Sequence, residues 1–316
     1  MSTGSNSEAT TDLTARLLRG EPAALARAIT EVENETTEMS AILRATQPRL
    51  GKATIVGFTG APGAGKSTLI SAYIKVLRAR DKTVGVVTVD PSSPFSRGAI
   101  LGDRIRMAEH TTDLGVFVRS VAARGHLGGI SRTTARIVDI FDAVGKDVVI
   151  VETVGAGQSE VAVAEIADIK VVVCAPGLGD DVQAIKAGLL EIADILVVNK
   201  HDLPSADTTI RSLKAMLDLR NNNRDAVQVL ATVATTGVGV NELAETIESK
   251  CTMHRPTRSP RTRIRRVLAG IAGQIVETHL QDTDDSAIDA VCDAVQRGDL
   301  SFESAAQRLL AERLGR

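Results

Sequence analysis

Hydrophobic positions follow two regimes along this chain. Near the amino end they recur at helical spacing: Leu13, Leu17 and Leu18, then Leu25, Ile29 and Val32, then Met39, Ile42 and Leu43. Gly20 suits the stop of the first helix. Pro22 suits the first turn of the next, where a missing N–H costs nothing. Gln47-Pro48-Arg49 closes this helical prefix, and residues 1–9 read as a disordered tail. From Ala53 onward the apolar residues gather instead into short continuous runs at 53–58, 83–89, 115–119, 147–152, 169–175, 194–199 and 227–231. Helical periodicity returns between most of them, as at 67–80, 131–145 and 206–219. Continuous apolar runs are strands buried on both faces, and their alternation with helices predicts βα units in a largely parallel sheet. After residue 251 the strand signal stops. Helices are predicted over 262–280, over 284–296 with Gly298 as its stop, and from about 302 with Ser301 as its cap. Phe302, Ala306, Leu309 and Leu314 form the apolar stripe of the last one. The division this predicts is a helical prefix over 1–50, an α/β domain over 51–255 and a helical arm over 256–316.

Composition narrows the classes. With 316 residues, 43% of them apolar, the chain can build a substantial core. A net charge of −2 argues against a general nucleic-acid binder or an anionic-membrane protein. Aromatic residues are too few for a base-stacking platform. No apolar run approaches about 18 residues, and the start Met1-Ser2-Thr3-Gly4-Ser5 is polar, so a cytoplasmic location is expected. Cys174, Cys251 and Cys292 are widely separated and fit structural thiols better than disulfides or a metal site. The arginines between Arg255 and Arg266 fit a solvated linker or protein-contact face better than an RNA site. The histidines, at 110, 126, 201, 254 and 279, have no ligand spacing on a helix and read as surface or structural.

The chemistry centres on Gly60-Ala61-Pro62-Gly63-Ala64-Gly65-Lys66-Ser67-Thr68, a G-x-x-x-x-G-K-[ST] loop between a predicted strand and a predicted helix. Free N–H groups at the helix start and the positive end of its dipole favour a phosphate there. Lys66 is expected to reach the β- and γ-phosphates and to be exposed and unpaired without ligand; Ser67 is expected to bind Mg²⁺. Asp90 ends the second strand, where a carboxylate can hold Mg²⁺ or its waters; an Asp before Pro91 equally suits a turn. Glu152-Thr153-Val154-Gly155 ends another strand as E-x-x-G. There Glu152 can act on the Mg²⁺ shell or position the attacking water, and the Gly155 N–H can contact the γ-phosphate. Gln158, three residues beyond that glycine, is a candidate to orient the water. Asn199-Lys200-His201-Asp202 follows the sixth strand as N-K-x-D. The Asp202 carboxylate can accept two N–H bonds from guanine N1 and N2, which adenine does not offer in that arrangement. A backbone N–H near Val233 and Ala234 can contact the base oxygen. These elements, in this order, imply a Mg²⁺-dependent GTP-binding switch on a P-loop NTPase fold: a mostly parallel central sheet flanked by helices, with helical extensions at both ends.

Four further stretches carry a resemblance: Val89-Asp90-Pro91-Ser92-Ser93-Pro94, Gly98 to Met107, Arg124-Gly125-His126-Leu127-Gly128-Gly129, and Glu152 to Glu160. Together they are similar to the methylmalonyl-CoA mutase-associated GTPases, the MeaB or ArgK-like group, over roughly residues 10–316. The resemblance implies a homodimer joined through the carboxyl-terminal arm. It also implies a chaperone that gates cofactor loading of an adenosylcobalamin-dependent acyl-CoA mutase and protects it. With no adjacent glutamine or arginine finger of its own, the chain is expected to hydrolyse GTP to GDP slowly. The resemblance implies that Asp90, Asp103 and Glu152 are the acidic Mg²⁺ and hydrolysis residues, and that 177–186, with Gly179-Asp180, Gln183 and Ile185-Lys186, is an extra switch loop facing the mutase. Two other readings share features with it. A metal-delivery GTPase of the hydrogenase or urease maturation type would show Cys/His clusters, which this sequence lacks. A transport-system kinase is opposed by N-K-x-D and the lack of a kinase-like acceptor site.

Overall fold

The computed structural model describes residues 12–91, 107–123, 132–153, 163, 166–177, 189–219, 227–253 and 286–314, with isolated helical positions between 265 and 280. Residues Met1–Pro260 form one compact unit and Arg261–Arg316 a second.

In the first unit all seven apolar runs are strands: β1 (Thr54–Thr59), β2 (Val84–Pro91), β3 (Val116–Ala123), β4 (Val148–Thr153), β5 (Ile169–Cys174), β6 (Ile195–Val198) and β7 (Gln228–Ala231). They form one sheet in the order β3-β2-β4-β1-β5-β6-β7, and every pairing is parallel. A parallel sheet must bury both faces under crossover helices, which is why its strands are apolar throughout. The period of two divides the side chains. Val148 and Ile150 pack in one core, whereas Val149 and Val151 pack in the other. The first core lies under α3 (Lys66–Ala79) and α6 (Val240–Met253), through Leu69, Ile70, Tyr73, Leu243 and Ile247. The second lies under α4 (Arg132–Ala143) together with the prefix: a helical stretch at 12–18, α1 (Pro22–Glu33) and α2 (Met39–Thr46). Helix α5 (Ala206–Leu219) covers β5 and β6 through Leu213. Helix α6 is not among the predicted elements, although Val240, Leu243, Ala244 and Ile247 keep helical spacing.

Carboxylates fix the amino-terminal edge of the sheet. The buried Asp142 accepts from the N–H groups of Gly51, Lys52 and Ala53 as the chain enters β1. Asp168 accepts from Ile55 N at 2.9 Å, and Asp194 from Lys170 N at 2.8 Å. An ionised carboxylate is acceptor-only, so each one satisfies strand-entry donors left outside the ladder. With that edge pinned and every strand parallel, all carboxyl ends emerge at the opposite edge.

The second unit contains α7 (Ser286–Gln296) and α8 (Phe302–Leu314). Gly298 adopts the left-handed φ of +81° that ends α7, and Ser304 N donates to Ser301 Oγ at 3.2 Å, the expected cap. The expected stripe of α8 is corrected. Ala305 is buried and Leu309 half-buried, while Phe302 and Ala306 are exposed. Ala305 and Leu309 are spaced i, i+4, so the inward face keeps Leu309 of the predicted stripe and takes Ala305 in place of Ala306.

Candidate nucleotide site

β1 runs into the glycine loop, and α3 starts at Lys66. Two glycines there have no substitute. A Cβ on Gly60, at φ +140°, would occupy the place of the Val173 carbonyl oxygen, and one on Gly65, at φ +87°, would collide with the Asn199 amide. Lys66 departs from expectation. It is 6% exposed, and its Nζ donates to Gly60 O at 2.8 Å and Ala61 O at 3.0 Å. Loop carbonyls that crowd around an ammonium satisfy its charge and hold the side chain back over the loop, so exposure is not the resting condition of this lysine.

Ser67 and Glu152 meet from opposite elements. The Ser67 hydroxyl donates to Glu152 Oε1 at 2.7 Å, with Ser67 6% and Glu152 1% exposed. β4 brings Glu152 beside β1 by pairing it with Phe58. One residue on, Thr153 Oγ1 donates to Thr59 Oγ1 at 3.1 Å, which ties the ends of both strands just before the loop. Two hard oxygen donors at the mouth of a phosphate loop are the donor set that Mg²⁺ takes, so these residues fit that ion. Asp90 is the penultimate residue of β2, in register with Ala122. Asp103, Gly155, Gln158, His126 and Lys186 lie outside the described residues, as does most of 177–186.

Asn199 joins three parts of the site. It is 2% exposed. Its Nδ2 donates to Ala64 O at 2.9 Å, and its Oδ1 accepts from Thr232 Oγ1 and Ala234 N, each at 3.1 Å. Its own N–H donates to Cys174 O at 2.9 Å. The partners fix the amide orientation, since a carbonyl can only accept. Lys200 takes a left-handed φ of +56°, unusual for a residue with a Cβ, and its Nζ reaches Gly63 O at 2.7 Å. His201 N donates to Thr232 O at 3.0 Å, and Asp202 stands exposed in the following turn. The loop after β7 is closed by an isolated bridge between Val233 and Val238. Because Ala234 N is donated to Asn199, it is not the donor held out to a base. Among the described residues Thr235 N–H, like those of Val238 and Gly239, is a donor of that loop with no acceptor, and it is the one next to Ala234.

Three contributors to the site were not singled out from sequence: Thr59, Thr153 and Thr232. Each is a threonine at the carboxyl end of a strand, which is the only signal they carried.

A seven-stranded parallel sheet, a glycine loop feeding α3 and an N-K-x-D turn at the same edge define a P-loop GTPase. The chain belongs to the MeaB family: residues 25–288 match the family described as methylmalonyl Co-A mutase-associated GTPase MeaB. A Pyrococcus horikoshii protein that carries only a provisional GTPase name is 46% identical over 96% of this chain and 98% of its own length. GTPase ArgK of Escherichia coli is 45% identical over 59% of this chain and 58% of its own. A mouse protein named methylmalonic aciduria type A homolog, mitochondrial, is 35% identical over 73% of this chain and 60% of its own. Among solved structures, one described as an LAO/AO transport system kinase matches 97% of this chain and 98% of its own, with TM-score 0.71 and 28% identity.

Proposed function

We propose that this GTPase is a Mg²⁺-dependent switch that attends an adenosylcobalamin-dependent acyl-CoA mutase of the methylmalonyl-CoA mutase type, gating its cofactor loading and protecting it. The observation that carries the switch is the 2.7 Å bond from Ser67 to Glu152. It links the hydroxyl at the phosphate loop directly to the strand that leads into 153–160, so a change of ligand at Ser67 is felt there at once. The mutase as partner is supported by the family's description as mutase-associated.

The roles we assign are these. The loop 60–68 and Lys66 hold the phosphates, and Asp202 reads guanine. Thr235 N–H takes the base-oxygen contact first assigned to Val233 and Ala234. Asn199 holds the phosphate loop and the base loop at one separation. Mg²⁺ would be held by Ser67 and Glu152, with Asp90 and Asp103 as further carboxylates, and would supply charge neutralisation at the phosphates. Gly155 and Gln158 serve the γ-phosphate and the water. Leu268, Ile275 and Phe302, which are 58%, 61% and 80% exposed, offer the second unit apolar surface for a homodimer. The chain acts in the cytoplasm; among the described residues no helix is long and apolar enough to cross a membrane.

The test is turnover. Purified protein should hydrolyse GTP slowly and faster once its mutase is added. Lys186→Ala should reduce that rise while GTP affinity stays within about twofold. A cognate mutase that neither binds the protein nor alters its turnover would overturn the partnership.

A further inference from the structure

The face of α3 that begins at Ser67 continues below the phosphates. Ser67, Ser71, Lys75 and Arg78 lie on one side of the helix at intervals of four, four and three residues. Each engages a polar group. Ser67 meets Glu152. Ser71 Oγ lies 2.8 Å from His110 Nε2 and also hydrogen-bonds Glu109 Oε1. Lys75 Nζ pairs with Glu109 Oε2 at 2.8 Å, and Arg78 Nε with Asp113 Oδ2 at 2.8 Å. Ser71 and His110 are each 5% exposed.

Proton counting orders this cluster. Ser71 has one hydroxyl proton, and the Glu109 carboxylate can only accept it. His110 Nε2 must then carry hydrogen and donate to Ser71 Oγ, which makes the neutral imidazole the Nε2–H tautomer. The outcome is a directed chain, His110 to Ser71 to Glu109, closed by Lys75. A buried hydroxyl that both accepts and donates holds its neighbours more firmly than one contact alone.

We propose that Ser71 and His110 are positioning residues for GTP hydrolysis. His110 closes a short helical turn, Ala108–His110, that starts one residue beyond Met107, and Met107 itself is 1% exposed in the core beneath α3. Asp103, the proposed Mg²⁺ carboxylate, stands four residues before Met107 in the chain. Ser71 stands one helical turn, roughly 5.4 Å, below the hydroxyl proposed to bind the same ion. The His110 to Ser71 bond therefore ties the turn Ala108–His110 to α3 at one turn's distance from Ser67. Phosphoryl transfer is catalysed by positioning and charge neutralisation, so slack in this anchor weakens the transition state. The ground-state complex is held by the loop and the base contacts, which the anchor does not touch. The inference rests on the GTP-site reading above.

The experiment separates kcat from KM. Single-turnover and steady-state GTP hydrolysis are measured for wild type, Ser71→Ala, His110→Phe and His110→Gln, with GTP affinity and thermal midpoint for each. His110→Phe keeps a ring but no donor; His110→Gln keeps an N–H donor in reach of Ser71. Ser71→Ala and His110→Phe should lower kcat about tenfold with KM and affinity within about twofold, and His110→Gln should recover most of kcat. A KM that rises with the loss, equal deficits in His110→Phe and His110→Gln, or wild-type kcat in Ser71→Ala overturns the proposal while leaving the nucleotide site intact. A wild-type chain that does not hydrolyse GTP overturns both readings.

Discussion

At the scale of single residues, Asp202 and Lys66 make the sharpest claims. Asp202 stands exposed at the end of the N-K-x-D turn, and its proposed partner is the guanine edge. Asp202→Asn replaces two acceptors with one acceptor and one donor. GTP affinity should fall about a hundredfold, roughly 3 kcal/mol for a lost charge-assisted pair. Preference should move toward xanthosine triphosphate, whose C2 carbonyl can accept the new donor. A competition titration in which GTP selectivity stays unchanged would sink the base assignment. Lys66 does more than wait for phosphate. Its ammonium draws in the carbonyls of Gly60 and Ala61, so Lys66→Ala takes the cation away from the loop as well as from the ligand. Triphosphate binding should be lost, and amide exchange over 60–65 should speed up without nucleotide, while the sheet stays protected. Unchanged loop exchange would mean that those carbonyl bonds do not order the loop. Asn199 shows where residue-level reading ends. Its motif was plain in sequence, but its role as a clasp was not, because its amide bonds Ala64 across 135 residues. No local spacing encodes that distance.

At the scale of elements, the seven strands were legible because burial on both faces leaves each as an unbroken apolar run. α6 was legible by the same rule as the prefix helices and was passed over: Val240, Leu243, Ala244 and Ile247 keep helical spacing, with Glu242, Glu245 and Glu248 on the open side. The phosphate loop was legible because its glycines and its lysine act locally. The anchor beneath it was hidden, because Ser71 and His110 are ordinary residues in isolation and gain meaning only when α3 and the turn before β3 meet. That anchor makes stability depend on pH. Burial pushes His110 below its ordinary pKa; Glu109 and Asp113 oppose this, and Lys75 adds to it. A histidine with a depressed folded pKa binds its proton more readily when unfolded. Stability is therefore whole above about pH 6.5 and declines as pH falls toward the folded pKa. Glu109 acts in a lower window. Lys75 and then the Ser71 hydroxyl hold its pKa down, so its contribution is present above about pH 4.5 and is lost as pH falls further. Denaturant midpoints at about pH 7.5 and about pH 5.5 should differ less in His110→Gln than in wild type, because glutamine does not titrate. Identical differences would show that His110 carries none of the effect.

At the scale of the whole molecule, one parallel sheet gathers the ends of β1, β2, β4, β6 and β7 at a single edge, and the site is built from those ends. Phosphate loop, Glu152 and Asn199 are thereby joined through two bonds, Ser67 to Glu152 and Asn199 to Ala64. Coupling of this kind is reciprocal. If the mutase favours one nucleotide state, that state must bind the mutase more tightly by the same factor. The most direct measurement is calorimetric titration of the adenosylcobalamin-dependent mutase into the protein, once with a non-hydrolysable GTP analogue and Mg²⁺ and once with GDP and Mg²⁺. The account predicts affinities that differ by roughly five- to 150-fold between the two. Equal affinities would contradict it, because a partner indifferent to the nucleotide cannot be served by a GTP switch.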